Sequence, residues 1–208
     1  MIYKGLLLSS LLMVISQFSV AKETSSESPS CAFDVFVPIS ASCPLEGSGK
    51  VTHIVDSRTM WVMPNDKNAD FNMSRATNNT FKNQSRDRSK GIKLNILGVS
   101  NTIAKLDTSS VMNIENDAVD FLSENILGKN VSYACYFLDD KINLLCSVDF
   151  KGNDLGQIFI KKGLSKYVVK YGRHPKRDKE YEQAELEAKG SEIGIWKPFF
   201  GMFIFKKK

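Results

Sequence analysis

An α+β fold is predicted, a small β-barrel carrying helices, and three observations predict it. Strand-like runs precede a helix of regular apolar spacing, a hairpin-like pair of runs follows, and two helices with their own start and stop residues come last. Val51 to Met63 is the first strand run. Gly91 to Val99 is the next, with Ile92, Leu94 and Ile96 alternating. Asn113 can cap a helix to about Leu127, where Ile114, Ala118, Phe121, Leu122 and Ile126 share one face before Gly128 stops it. Val131 to Leu138 and Ile142 to Phe150 form a hairpin about Asp139-Asp140-Lys141, with Val131, Tyr133, Cys135 and Phe137 on one face. Asp154 caps a short helix through Lys162 that ends at Gly163, and an extended piece, Leu164 to Tyr171, follows. The last helix lies beyond Pro175, is capped by Asp178 and closes at Gly190. Glu180 and Glu182 in its first turn and Lys189 in its last match the dipole, and Tyr181, Ala184 and Ala188 form its buried stripe. This order suits a five-stranded Greek-key β-barrel of the OB type with about three packed helices.

The first residues read as a processing signal. Lys4 is followed by an apolar run from Leu6 to Ile15 and by Ser19-Val20-Ala21, which predicts a secretory signal peptide over residues 1–21. The run is far shorter than the roughly 20 apolar residues of a membrane span. A periplasmic or secreted mature protein without a transmembrane span is expected. Its four cysteines fit that compartment. Three pairings are possible. The turn at 139–141 sets Cys135 opposite Cys146, which leaves Cys31 to pair with Cys43. Neither a CxxC pair nor a nearby histidine supports metal binding by these thiols.

Residues 22–48 form an amino-terminal arm, 49–197 the folded domain and 66–90 a long polar, Asn-rich loop within it. An apolar and basic tail covers 198–208. Charge is uneven: residues 151–208 carry fourteen Lys/Arg against seven Asp/Glu, and residues 22–150 carry thirteen against sixteen. A basic carboxy-terminal third suits nucleic acid, anionic lipid or an acidic protein partner.

Three stretches carry a resemblance. Lys50-Val-Thr-His-Ile-Val-Asp-Ser-Arg-Thr-Met-Trp-Val62 runs a strand into a turn. Ile158-Phe-Ile-Lys-Lys-Gly-Leu-Ser-Lys-Tyr167 ends a helix on Gly-Leu-Ser. Tyr181-Glu-Gln-Ala-Glu-Leu-Glu-Ala-Lys-Gly-Ser-Glu-Ile-Gly-Ile-Trp196 is an acid- and alanine-rich helix closing on Gly-Ile-Trp. In this order, over about residues 50–196, they resemble the staphylococcal nuclease (thermonuclease) family. The resemblance implies a metal-dependent endonuclease in active members, with an Asp-Gly-Asp-Thr turn and a second Asp on calcium, a Glu orienting water and two arginines on the phosphoryl oxygens. Such chemistry depends on placed charge.

Carried over residue by residue, almost none of that set survives here; only Asp56, which is not the principal ligand, and the cation Lys93 resemble it. The turn is Asp56-Ser57-Arg58-Thr59, with Arg58 at the ligand position. Lys93-Leu-Asn-Ile-Leu-Gly98-Val-Ser-Asn101 is similar to the family's next strand, which puts Lys93 at the first arginine, Gly98 at the second ligand and Asn101 at the water-orienting Glu. Asn143 falls at the second arginine. Asp107 and Asp117 are candidate replacements if the alignment shifts. No catalytic residue and no cofactor are therefore expected, calcium entering only with a rearranged site. Arg58 and Lys93 would make the old site cationic and able to hold a phosphate, a sulfate or a partner's carboxylate, or Arg58 would pair with Asp56.

His53 and His174 lack partners at metal spacing. Lys166, Lys170, Tyr171 and Arg173 interleave cations with an aromatic ring, as a surface for single-stranded nucleic acid does, and a half-buried strand with solvated lysines reads the same way. The tail at 198–208 either folds back on the barrel or docks on a protein partner. The expected function is an exported, non-catalytic binding or structural module in an envelope assembly of the secretion or conjugation type. The alternatives are a secreted nuclease with a rearranged site and a periplasmic nucleic-acid binder.

Overall fold

The computed structural model of the chain describes residues 40, 42–66, 86–87, 89–100, 108–141 and 143–198. The predicted signal peptide, Cys31, most of the 66–90 loop, Asn101, Asp107 and residues 199–208 of the tail lie outside the described residues.

Five strands close a barrel: β1 (Leu45–Ile54), β2 (Thr59–Pro64), β4 (Gly91–Ile96), β5 (Asn130–Leu138) and β6 (Leu144–Phe150). Two short strands, β3 (Arg86–Asp87) and β7 (Asn153–Asp154), extend the sheet beside β4 and β6. Around the ring β1 pairs with β2, β2 with β4, β4 with β6, β6 with β5, and β5 with β1. Only β4 and β6 run parallel. This is the predicted OB-type Greek key, closed so that no central strand keeps a free edge. Helices α1 (Thr108–Asn125), α2 (Leu155–Lys161) and α3 (Asp178–Gly190) carry the rest, with a 3₁₀ turn at Gly194–Trp196.

Alternating positions fill the interior. Val51, Met60, Val62, Ile92, Leu94, Ile96, Leu144, Cys146 and Val148 come inward from the strands. Ala118, Leu122 and Ile126 cover them from α1, and Leu155 and Phe159 from α2. Each fully buried aliphatic side chain contributes about 1.5–3 kcal/mol.

Several boundaries differ from the sequence reading, each for a tertiary reason. The run from Val51 to Met63 is two strands, because the chain turns back at Val55–Arg58 and Ile54 pairs with Met60. β1 begins at Leu45, where two glycines hide a stretch of strand, residues 45–50, that pairs with residues 130–135 of β5. Inside the expected loop, Arg86–Asp87 pairs with β4, and the Asp87 carboxylate accepts the Ser89 and Lys90 amides to turn the chain. α1 starts at Thr108, five residues before the expected cap at Asn113. A bulge between Cys135 and Phe137 breaks the one-face alternation of β5, so Phe137 joins Tyr136, Leu97 and Leu145 in a second cluster. Asp178 is the first residue of α3 and does not cap it. The flanking residue is Arg177, whose side chain makes no capping bond. At the other end Glu192, at φ +51°, supplies the left-handed residue expected of Gly190.

Other expectations hold. Asp154 caps α2 by accepting the Gln157 amide at 2.8 Å. Cys135 faces Cys146 across the hairpin and the two form a disulfide. Cys43 is also disulfide-bonded. No helix among the described residues is long and apolar enough to cross a membrane.

Candidate functional site

One mouth of the barrel carries an open pocket of about 460 Å³. The turn after β1 brings Asp56 and Arg58 to it, β4 brings Lys93 and Asn95, and the β5–β6 turn brings Asp139, Asp140, Lys141 and Asn143. Lys170 and Tyr171 close one side from the segment before α3. In an OB barrel these two loops and this strand form the surface that takes oligonucleotides or oligosaccharides.

Each acid lining the pocket already has a partner. Asp56 Oδ1 accepts the backbone amide of Arg58 at 2.9 Å, which shapes the turn. Asp139 accepts the amides of Lys141 (2.9 Å) and Asn143 (2.8 Å), and the Asn143 side-chain amide reaches both its oxygens. Burial pushes the Asp139 carboxyl up, but these bonds and the Arg58 charge outweigh it and hold the group below the usual range. Asp140 accepts from Lys170 Nζ at 2.7 Å and from the Tyr171 hydroxyl at 3.1 Å. Those bonds, the Lys170 one first, lower the Asp140 pKa, and the same contact raises that of Lys170.

The pocket's unmatched groups lie elsewhere. The Arg58 guanidinium turns from Asp56 and donates through Nη1 to the Val99 carbonyl at 3.5 Å, so the expected ion pair does not form. Its Nε is buried without a partner, as is Oδ1 of Asn95, a side chain 3% exposed. A buried polar atom left without a partner costs about 1–3 kcal/mol, and a ligand or water that supplies one recovers it.

Arg58, Lys93, Lys170 and Tyr171 thus come together, and Asn143 joins them as the clamp on Asp139. Lys166 and Arg173 do not. Lys166 lies over the Trp196 ring at 5.5 Å, and Arg173 is engaged by Asp178 and Glu182. Gly98 follows β4 at φ +75°, with the rings of Tyr181 and Tyr167 against its α-carbon. Asp117 is exposed on α1 and does not line the pocket. His53 is exposed, whereas His174 is buried. Among the described residues no group of three His, Cys, Asp or Glu is placed to hold a metal ion.

Sequence reasoning missed Asn95, Asp139 and Asp140 as pocket residues. The two adjacent acids read only as a turn, and Asn95 was passed over although it is a polar residue in an apolar strand.

The family model described as staphylococcal nuclease homologue matches residues 93–198 of the chain. No curated protein matches it.

Proposed function

The chain belongs to the staphylococcal nuclease homologue family, and on that premise we propose that it is an exported binding module whose barrel-mouth pocket takes a phosphodiester or similar anion and does not cleave it. The observation that carries this reading is that every carboxylate of the pocket already accepts a hydrogen bond from within the chain. Asp139 uses both oxygens on Lys141 and Asn143, Asp56 accepts from the Arg58 amide through Oδ1, and Asp140 accepts from Lys170 and Tyr171 through Oδ2. A calcium ion needs six to eight oxygen ligands, several of them anionic. Three carboxylates each engaged from within and flanked by Arg58, Lys93 and Lys170 fit that ion poorly. Phosphoryl transfer without a metal or a clamp of cations on the transferred group loses its main source of rate.

The same residues suit an anion. Arg58 offers a buried Nε without an acceptor, Lys93 adds a charge, and Tyr171 adds a ring for a base or sugar. The binding domain spans residues 49–197, and the tail at 198–208 recruits a protein partner in an envelope assembly. The Cys135–Cys146 disulfide is compatible with an extracellular setting.

Fluorescence anisotropy with a labelled single-stranded oligonucleotide tests this. Binding should weaken steadily as salt rises and drop several-fold in Arg58→Glu and Lys93→Glu. Equal amounts of intact oligonucleotide should remain with calcium and with chelator. The second reading, a nuclease with a rearranged site, is favoured by the gathering of three aspartates at one pocket. Chelator-sensitive cleavage that disappears in Asp139→Asn would establish it and end the non-catalytic one.

A further inference from the structure

A second cavity, of about 280 Å³, lies on the outer face of β1, β5 and β6 and shares no lining residue with the barrel-mouth pocket. Glu46 of β1, Ser132 and Ala134 of β5, Ser147 and Asp149 of β6 and the segment His174 to Arg177 line it, with Tyr136 at the bulge. His174 is only 2% exposed, and its ring is wedged between Tyr136 (centroids 5.7 Å apart) and Tyr181 (4.8 Å).

The protonation state of that ring follows from its contacts. Nδ1 accepts the backbone amides of Lys176 at 3.2 Å and Arg177 at 3.0 Å, so it carries no proton. In the neutral imidazole the proton then sits on Nε2. That nitrogen is buried and has no hydrogen-bond partner. His174 lines the cavity, so a donor without an acceptor belongs to its wall. Its cations are largely matched already, Arg177 by Asp149 at 2.7 Å and Lys176, more loosely, by Glu46 at 3.4 Å.

We propose that this cavity binds a small carboxylate, one oxygen accepting the His174 Nε2 proton and the other facing the Lys176 ammonium. The charge balance bears on the ligand. Glu46 and Asp149 offset the two cations, so the lining is close to neutral and disfavours a phosphate dianion more strongly than a singly charged carboxylate. The volume sits just under the range of about 300–1,000 Å³ usual for drug-sized ligands, so the guest is small.

Acetate and inorganic phosphate are the probes, added to the full chain while the His174 and Tyr136 ring signals are followed by NMR. Acetate should shift them saturably. His174→Asn keeps a side-chain acceptor for the two amides but lacks Nε2, and should abolish the saturable acetate response of the Tyr136 ring signals, which report on the same cavity in both proteins. Lys176→Gln, altered at an exposed side chain, should weaken acetate binding about threefold, the scale of one exposed charge contact. Arg58→Glu should leave it unchanged, which separates this site from the barrel mouth. A stronger response to phosphate than to acetate, equal acetate binding by Lys176→Gln, or a shift that never saturates would overturn the proposal.

Discussion

At Gly98 the backbone adopts φ +75°, and an added β-carbon would stand 2.9 Å from a Tyr181 ring carbon and 3.0 Å from one of Tyr167. This is where the family resemblance expects a metal-binding aspartate. Steric cost and conformation both oppose one. Gly98→Asp should lose about 3 kcal/mol, from a left-handed residue at roughly 1–2 kcal/mol and the displacement of packed rings. Urea unfolding measures it, and a change under 1 kcal/mol would contradict the contact. His174 makes a prediction in pH. Burial lowers its pKa below the ordinary 6.5, Arg177 acts the same way, and Asp154, Asp149 and Glu180 pull it up. The unfolded chain then binds the proton more readily than the folded one. Stability from this group is complete above about pH 6.5 and is lost as pH falls towards the folded pKa, with a slope of at most about 1.4 kcal/mol per pH unit. His174→Asn should flatten that slope, read from unfolding midpoints at about pH 7.5 and about pH 5.5.

The element that ties barrel to helices is the start of α2. Asp154 caps it and also accepts buried bonds from the Ser147 hydroxyl at 2.6 Å and from the Tyr181 hydroxyl. One carboxylate thus joins β6, α2 and α3. Asp154→Ala should cost about 3 kcal/mol, since it removes a cap and leaves two buried hydroxyls without acceptors. Tyr181→Phe should cost about 1 kcal/mol, as a single lost hydrogen bond does. Differential scanning calorimetry of both variants checks the ranking. The sequence disclosed the cap at Asp154, because Asp before an apolar helix is a local signal. It did not disclose the two hydroxyls, which lie 7 and 27 residues away in the chain. The same holds at the end of α2. Gly163 and Gly194, both at positive φ, meet back to back, and the Ile195 amide donates to the Gly163 carbonyl at 2.9 Å. The two motifs that carried the resemblance, Gly-Leu-Ser and Gly-Ile-Trp, are the halves of one contact.

For the molecule as a whole, the disulfide sits inside the barrel. Cys135 and Cys146 are fully buried and join the long hairpin at its centre. Closing a loop of this size removes about 3 kcal/mol of unfolded-state entropy. Cys135→Ala with Cys146→Ala should therefore lower the melting temperature by roughly 10 °C. Reductant should lower the melting temperature of the wild-type protein further than that of the double variant, which keeps only the disulfide of Cys43. This pairing was legible because a hairpin maps separation in sequence onto opposition in space.

Element order, the hairpin and its disulfide, the cap of α2 and the positive residue in the first turn were all written in the sequence by itself. Each depends on neighbours within a few residues or on a regular period, and such signals survive in one dimension. Only the tertiary structure decided that Arg58, Lys93 and Lys170 share a pocket while Lys166 and Arg173 do not. It also decided that three aspartates there are already engaged from within and that His174 is buried with a bare Nε2. Those outcomes depend on how a closed barrel brings distant loops to one mouth. Coulombic and hydrogen-bond energies act over a few ångströms of space, whatever the distance along the chain.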